Sequence, residues 1–89
     1  MPLTTSPDVL AAHLSGEAVL LNLLDKSYYR LNETAAVVWA GFENGDSHGV
    51  ILDTLLSRYA VGTEQAESEM NRVIDDMKSR KLLIETADA

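Results

Sequence analysis

The side chains able to do covalent chemistry are scattered in this chain. His13 and His48 fall in different elements, and neither has a second ligand three or four residues away, the spacing of a helical metal site. The serines lack a histidine–carboxylate partner, and no glycine-rich loop is placed to cradle phosphate. With no cysteine there is no thiolate ligand, disulfide or thiol nucleophile. Asp75-Asp76 and Glu67/Glu69 read as a solvated helix face. No catalytic residue, metal or cofactor is expected. Trp39 and Phe42 share helical spacing with Val38 and read as core rather than as a ligand cage. Tyr28 and Tyr29 are adjacent in an extended run, so one faces the core and the other solvent.

Composition narrows the function classes further. Eighty-nine residues make one domain, expected over 1–89, and 46% hydrophobic residues are enough for a core. A chain of this size buries only about 60–65% of its unfolded surface, so stability should be modest. Fourteen acidic and seven basic residues give a net charge of −7, which opposes binding to phosphate backbones. The apolar runs are too short to span a membrane, and the first residues lack the basic start and apolar core of a signal peptide. A cytoplasmic location follows by default.

The elements that would position these side chains are read as follows. Residues 1–8 form a loop or frayed end. Val9–Leu14 reads as a short strand or as a helical turn. Ala18–Leu24 is a strand, Asp25-Lys26 a turn, and Ser27–Leu31 a second strand. Asn32 caps a first helix over 33–43, ended by Asn44-Gly45-Asp46. Asp46 or Ser47 caps a second helix with Leu52, Leu55, Leu56 and Tyr59 on its apolar stripe. Thr63 caps a third, whose apolar face is Ala66, Met70, Val73, Ile74 and Met77. Leu82–Ile84 closes the core or adds an extended segment, and 85–89 frays. The fold class is α+β: a three-stranded antiparallel sheet followed by three helices, of winged helix-turn-helix type. The second helix of the motif opens with Glu64, Glu67 and Glu69 where a DNA reader would present Arg, Lys, Asn or Gln.

Tyr28-Tyr29-Arg30-Leu31-Asn32, followed by Thr34-Ala35 and Trp39, resembles the PqqD-like family, the RiPP recognition elements. The likeness runs from Val9 to Ile84. Family members often have glycine in the hairpin turn and after the last helix, where this chain has Lys26 or Ser27 and Arg80 or Lys81. The resemblance implies a stand-alone protein that binds the leader segment of a ribosomally made precursor peptide. The leader would add as an antiparallel strand beside the third strand, in a cleft against the third helix. The implied partners are the precursor, a leader peptidase and a cyclase. The Tyr-Tyr-x-Leu-Asn form is closer to the lasso-peptide type than to the radical-enzyme, pyrroloquinoline quinone type. A winged-helix DNA-binding regulator is the rival that the charge disfavours.

On that reading Ser27, Tyr28, Tyr29, Arg30 and Leu31 form the docking edge. Leu31 leads into the first helix and faces inward, so Tyr29 shares its face while Tyr28 and Arg30 point outward. Ala66 and Met70 are expected to pack on the other helices. Val73, Ile74 and Met77 are expected to stay partly open as the cleft wall, so that Met77→Glu would block binding and leave the fold intact.

Overall fold

The computed structural model describes residues 3–85; Met1, Pro2 and residues 86–89, where fraying was expected, lie outside the described residues. The chain runs β1 (Leu3–Thr5), β2 (Val9–Leu14), β3 (Glu17–Asn22), β4 (Tyr28–Leu31), α1 (Glu33–Glu43), α2 (His48–Arg58), α3 (Thr63–Ser79) and β5 (Leu83–Glu85). It is an α+β fold in which β2, β3 and β4 form an antiparallel sheet in that order. Two short strands frame this plan. β1 pairs antiparallel with β5, Leu3 opposite Glu85 and Thr5 opposite Leu83. The loop expected over the first eight residues is therefore partly strand. Its partner lies at the far end of the chain, so no local pattern announces it.

Turn chemistry sets the sheet. Leu14 pairs with Glu17 across a two-residue loop, and Gly16 there has φ +71°. β3 stops at Asn22, two residues before the expected end. The Asn22 side chain accepts from the Leu24 N–H at 2.9 Å, and the Asp25 side chain accepts from the Ser27 N–H at 2.9 Å. Two successive side-chain turns thus take the backbone out of the ladder. Leu23 and Leu24 are left exposed.

The helix boundaries follow their caps. Asn32 Oδ1 accepts from the Ala35 N–H at 2.9 Å, and Ser47 Oγ accepts from the Val50 N–H at 3.3 Å. α3 differs from expectation: Gly62 holds the cap position without a side-chain bond, and Thr63 is the first helical residue. After α1, Gly45 (φ +77°) donates to the Phe42 carbonyl and Asp46 to that of Gly41. After α3, Lys81 (φ +60°) donates to the Lys78 carbonyl and Leu82 to that of Met77. Both are the same left-handed stop. In the second, a lysine occupies the conformation that favours glycine. Lys26 (φ +62°) does so in the β3–β4 turn.

The core lies between the inner sheet face and the helices. Ala18, Leu20 and Leu31 meet Val38, Trp39 and Phe42 of α1, Leu55 of α2, and Met70, Ile74 and Met77 of α3. On α2 the buried pair is Ile51 and Leu55, while Leu52, Leu56 and Tyr59 are half-buried. The expected stripe is thus rotated by one residue. Gly41 is the reason: it lets Ile51 approach the α1 backbone closely. Leu82 and Leu83 close the core from the end of α3.

Candidate functional site

Among the described residues β4 is an edge strand, hydrogen-bonded to β3 alone. The Asn22 N–H donates to the Ser27 carbonyl at 2.9 Å, which fixes the phase of the ladder. Alternation then turns the main-chain groups of Tyr29 and Leu31 toward β3 and those of Tyr28 and Arg30 toward the free edge. Side chains alternate at right angles to this. Leu31 is buried and Tyr29 half-buried on the inner face, whereas Tyr28 is 71% exposed and Arg30 is exposed on the outer one.

Beside this edge runs a groove of about 660 Å³ between β4, the start of α1 and α3. Its α3 wall is one stripe at spacings of three and four: Glu69, Arg72, Val73, Asp76, Met77 and Arg80. The helix lies antiparallel to β4, because Arg80 reaches Tyr29 at one end and Glu69 shares a smaller hollow with Thr34 at the other. Val73 is half-buried in the wall. Met77 lines the groove only as its floor and is 1% exposed. Ile74 is 4% exposed and does not line the groove. The expectation that Ile74 and Met77 stay partly open is therefore corrected: Leu82 and Leu83 fold over this end of α3 and complete the core around them. Ser27 also lies outside the groove, one residue before β4.

The charged lining was not expected as a group, although its spacing on α3 is legible once the groove is known. The Arg80 Nε donates to both Asp76 oxygens at 3.1 Å, and its guanidinium carbon sits 5.2 Å from the Tyr29 ring centre. The hydrogen bond to Asp76, with that carboxylate's charge, raises the Arg80 pKa above its ordinary value. Arg72 donates to Glu69 at 2.6 Å, and Arg30 Nε donates to Glu17 at 2.9 Å on the outer face.

A second hollow of about 290 Å³ lies across α1, with His13, Glu33, Asp46 and Arg58 in its lining. His13 Nε2 and Glu43 Oε1 are 3.0 Å apart. Among the described residues no three His, Cys, Asp or Glu side chains gather as a metal site, and no helix is long and apolar enough to cross a membrane. The arrangement offers main-chain donors and acceptors, an apolar floor and fixed cations.

The sequence profile of coenzyme PQQ synthesis protein D (PqqD) matches residues 17–83, from β3 to the first residue of β5. No curated protein matches the chain. Two solved structures are similar over nearly all of it. One is TbiB1 in complex with the TbiA(beta) leader peptide, 27% identical, covering 96% of this chain and 99% of that one, with a TM-score of 0.87. The other is lasso peptide synthetase B1 complexed with the leader peptide, 24% identical, covering 96% and 100%, with a TM-score of 0.85; at that identity it speaks for the fold alone.

Proposed function

The chain belongs to the coenzyme PQQ synthesis protein D (PqqD) family, and we propose that it is a non-catalytic binding module for the leader segment of a ribosomally synthesised precursor peptide. The leader adds as a fourth strand beside β4, and the protein presents it to the leader peptidase and cyclase of a lasso-peptide pathway. One observation carries this reading: among the described residues β4 offers an unpaired edge directly above a groove floored by Met77 and walled by Val73. Main-chain bonds along that edge supply affinity, and the groove selects side chains. A solved protein of this shape, 27% identical over nearly the whole chain, holds a leader peptide, and this supports the same role here.

The peptide-binding residues are Tyr28–Leu31, with Val73 as wall and Met77 as floor. We read 1–89 as a single cytoplasmic domain of winged helix-turn-helix type. Glu64, Glu67 and Glu69 at the start of α3, on a chain of charge −7, argue against DNA reading. The family's own name favours a second reading, service to a pyrroloquinoline quinone-type radical enzyme. The identity of the precursor that binds separates the two.

The test is a calorimetric titration with the leader half of the precursor encoded beside the gene. Saturable one-to-one binding is expected, lost in Val73→Glu. The mass of the full-length precursor should stay unchanged with this protein alone and fall when the peptidase is added. Absence of binding to any neighbouring precursor overturns the proposal.

A further inference from the structure

Three of the four arginines, Arg30, Arg72 and Arg80, line the groove, against two of the fourteen acids, Glu69 and Asp76. By its lining residues the groove is one charge positive on a chain whose net charge is −7, although the Arg30 side chain itself pairs with Glu17 on the outer face. By contrast, the hollow across α1 is lined by Glu17, Glu33 and Asp46 against Arg58. A carboxylate approaching this protein is repelled by most of the surface and attracted at the groove.

Arg80 is the cation best placed to read one. It is held from two sides, by Asp76 on its own helix and by the Tyr29 ring on the edge strand. Its Nε makes both bonds to Asp76, and among the described residues its two terminal nitrogens form no ion pair with another acid. A guanidinium fixed in this way loses little freedom when its remaining N–H fork grips a carboxylate.

The spacing then sets a register. Along α3, Arg80 lies about 7.5 Å beyond the midpoint of Val73 and Met77 at 1.5 Å per residue. Two residues of an added strand span about 6.6 Å, and residues two apart share a face. A strand antiparallel to β4 runs parallel to α3, so its C-terminal side lies at Arg80.

Resting on the groove reading above, we infer that Arg80 is a specificity residue selecting an acidic side chain in the leader. The peptide carries the pattern apolar–any–acidic in that chain order. The apolar residue lies against Val73 over Met77, and the Asp or Glu two positions later meets Arg80.

The test is a random peptide library, displayed on its own messenger RNA and selected in parallel on wild-type protein, Arg80→Gln and Val73→Glu. Wild type should enrich the apolar–any–acidic pattern, and Arg80→Gln should lose the acidic preference while still enriching apolar residues. For the strongest selected peptide, Asp→Asn should weaken binding to wild type about tenfold. The same change should matter less than about twofold in Arg80→Gln, where the charged partner is gone. Lys78→Gln removes the same charge outside the groove and should keep the full Asp/Asn difference. Binders that need Val73 but show no acidic preference, or a preference that survives in Arg80→Gln, overturn the inference and leave the groove reading intact. If no enriched peptide depends on Val73, the groove reading itself fails.

Discussion

Arg30→Pro separates the binding edge from the fold. The Arg30 N–H points to the free side of β4, so proline removes no bond to β3. Its side chain is exposed, and the ion pair with Glu17 that is lost contributes about 0–1 kcal/mol. The melting temperature should therefore fall by no more than about 4–8 °C. Binding should suffer more. The leader loses a main-chain donor worth about 1 kcal/mol, and a peptide carbonyl stranded against the strand costs about 1–3 kcal/mol. A total of about 2–4 kcal/mol weakens binding roughly 30- to 800-fold. Arg30→Ala controls for the side chain and should bind within about fivefold of wild type. Tyr29→Pro is the opposite case. Its N–H faces Leu20 across the ladder, and its loss costs about 3 kcal/mol, lowering the melting temperature by more than about 10 °C. The assay is isothermal titration beside thermal denaturation followed by circular dichroism. If Arg30→Pro is folded and binds the leader as Arg30→Ala does, the leader does not add through this edge.

The two positions on α3 should part company. Val73→Glu keeps the fold and loses leader binding, whereas Met77→Glu, at 1% exposure, buries an unpaired carboxylate and unfolds at room temperature; equal melting temperatures would refute the burial argument. Gly41→Ala would set a Cβ 2.8 Å from Ile51 Cδ1, so strain of about 1–3 kcal/mol should outweigh the helix-propensity gain of about 1 kcal/mol. In an Ile51→Ala background the same change should become stabilising by denaturant titration; an unchanged sign would show that Ile51 is not the obstacle. Lys81→Gly relieves a left-handed backbone and should raise the melting temperature by a few degrees in thermal denaturation; an unchanged or lower value would show that the strain at Lys81 does not exceed glycine's extra unfolded-state entropy.

The sequence spoke most clearly where one residue controls one structural event. Asn32 before Glu33 fixes the start of α1, and with it the inward turn of Leu31 and the outward turn of Tyr28 and Arg30. Helical spacing grouped Val73, Ile74 and Met77 on one side of α3. It did not say where along that side solvent begins, because Leu82 and Leu83, which cover Met77, arrive only after the left-handed stop at Lys81. The β3–β4 turn was legible from Asp25-Lys26, but the left-handed backbone at Lys26 and Lys81 was not, since neither position carries the residue whose conformational freedom would announce it. Ile51 was missed because the stripe on α2 was read from its leucines. The gap that selects Ile51 is made by Gly41 on another helix. Arg72, Asp76 and Arg80 look like any solvated helix shoulder until the edge strand is laid opposite them.

The pairing of β1 with β5 gives the order of synthesis a role. Leu3–Thr5 leave the ribosome early and have no strand partner until Leu83–Glu85 follow, with the whole sheet and all three helices made in between. The Ser6 N–H likewise waits for the Leu82 carbonyl. Leu82 and Leu83, the residues that seal the core over Met77, emerge in the same moment. A growing chain can form the β2–β3 hairpin and α1 as it lengthens, but the groove floor is wetted until translation of this segment is complete. A nascent, unfinished copy is therefore poorly equipped to take a leader peptide from a finished one.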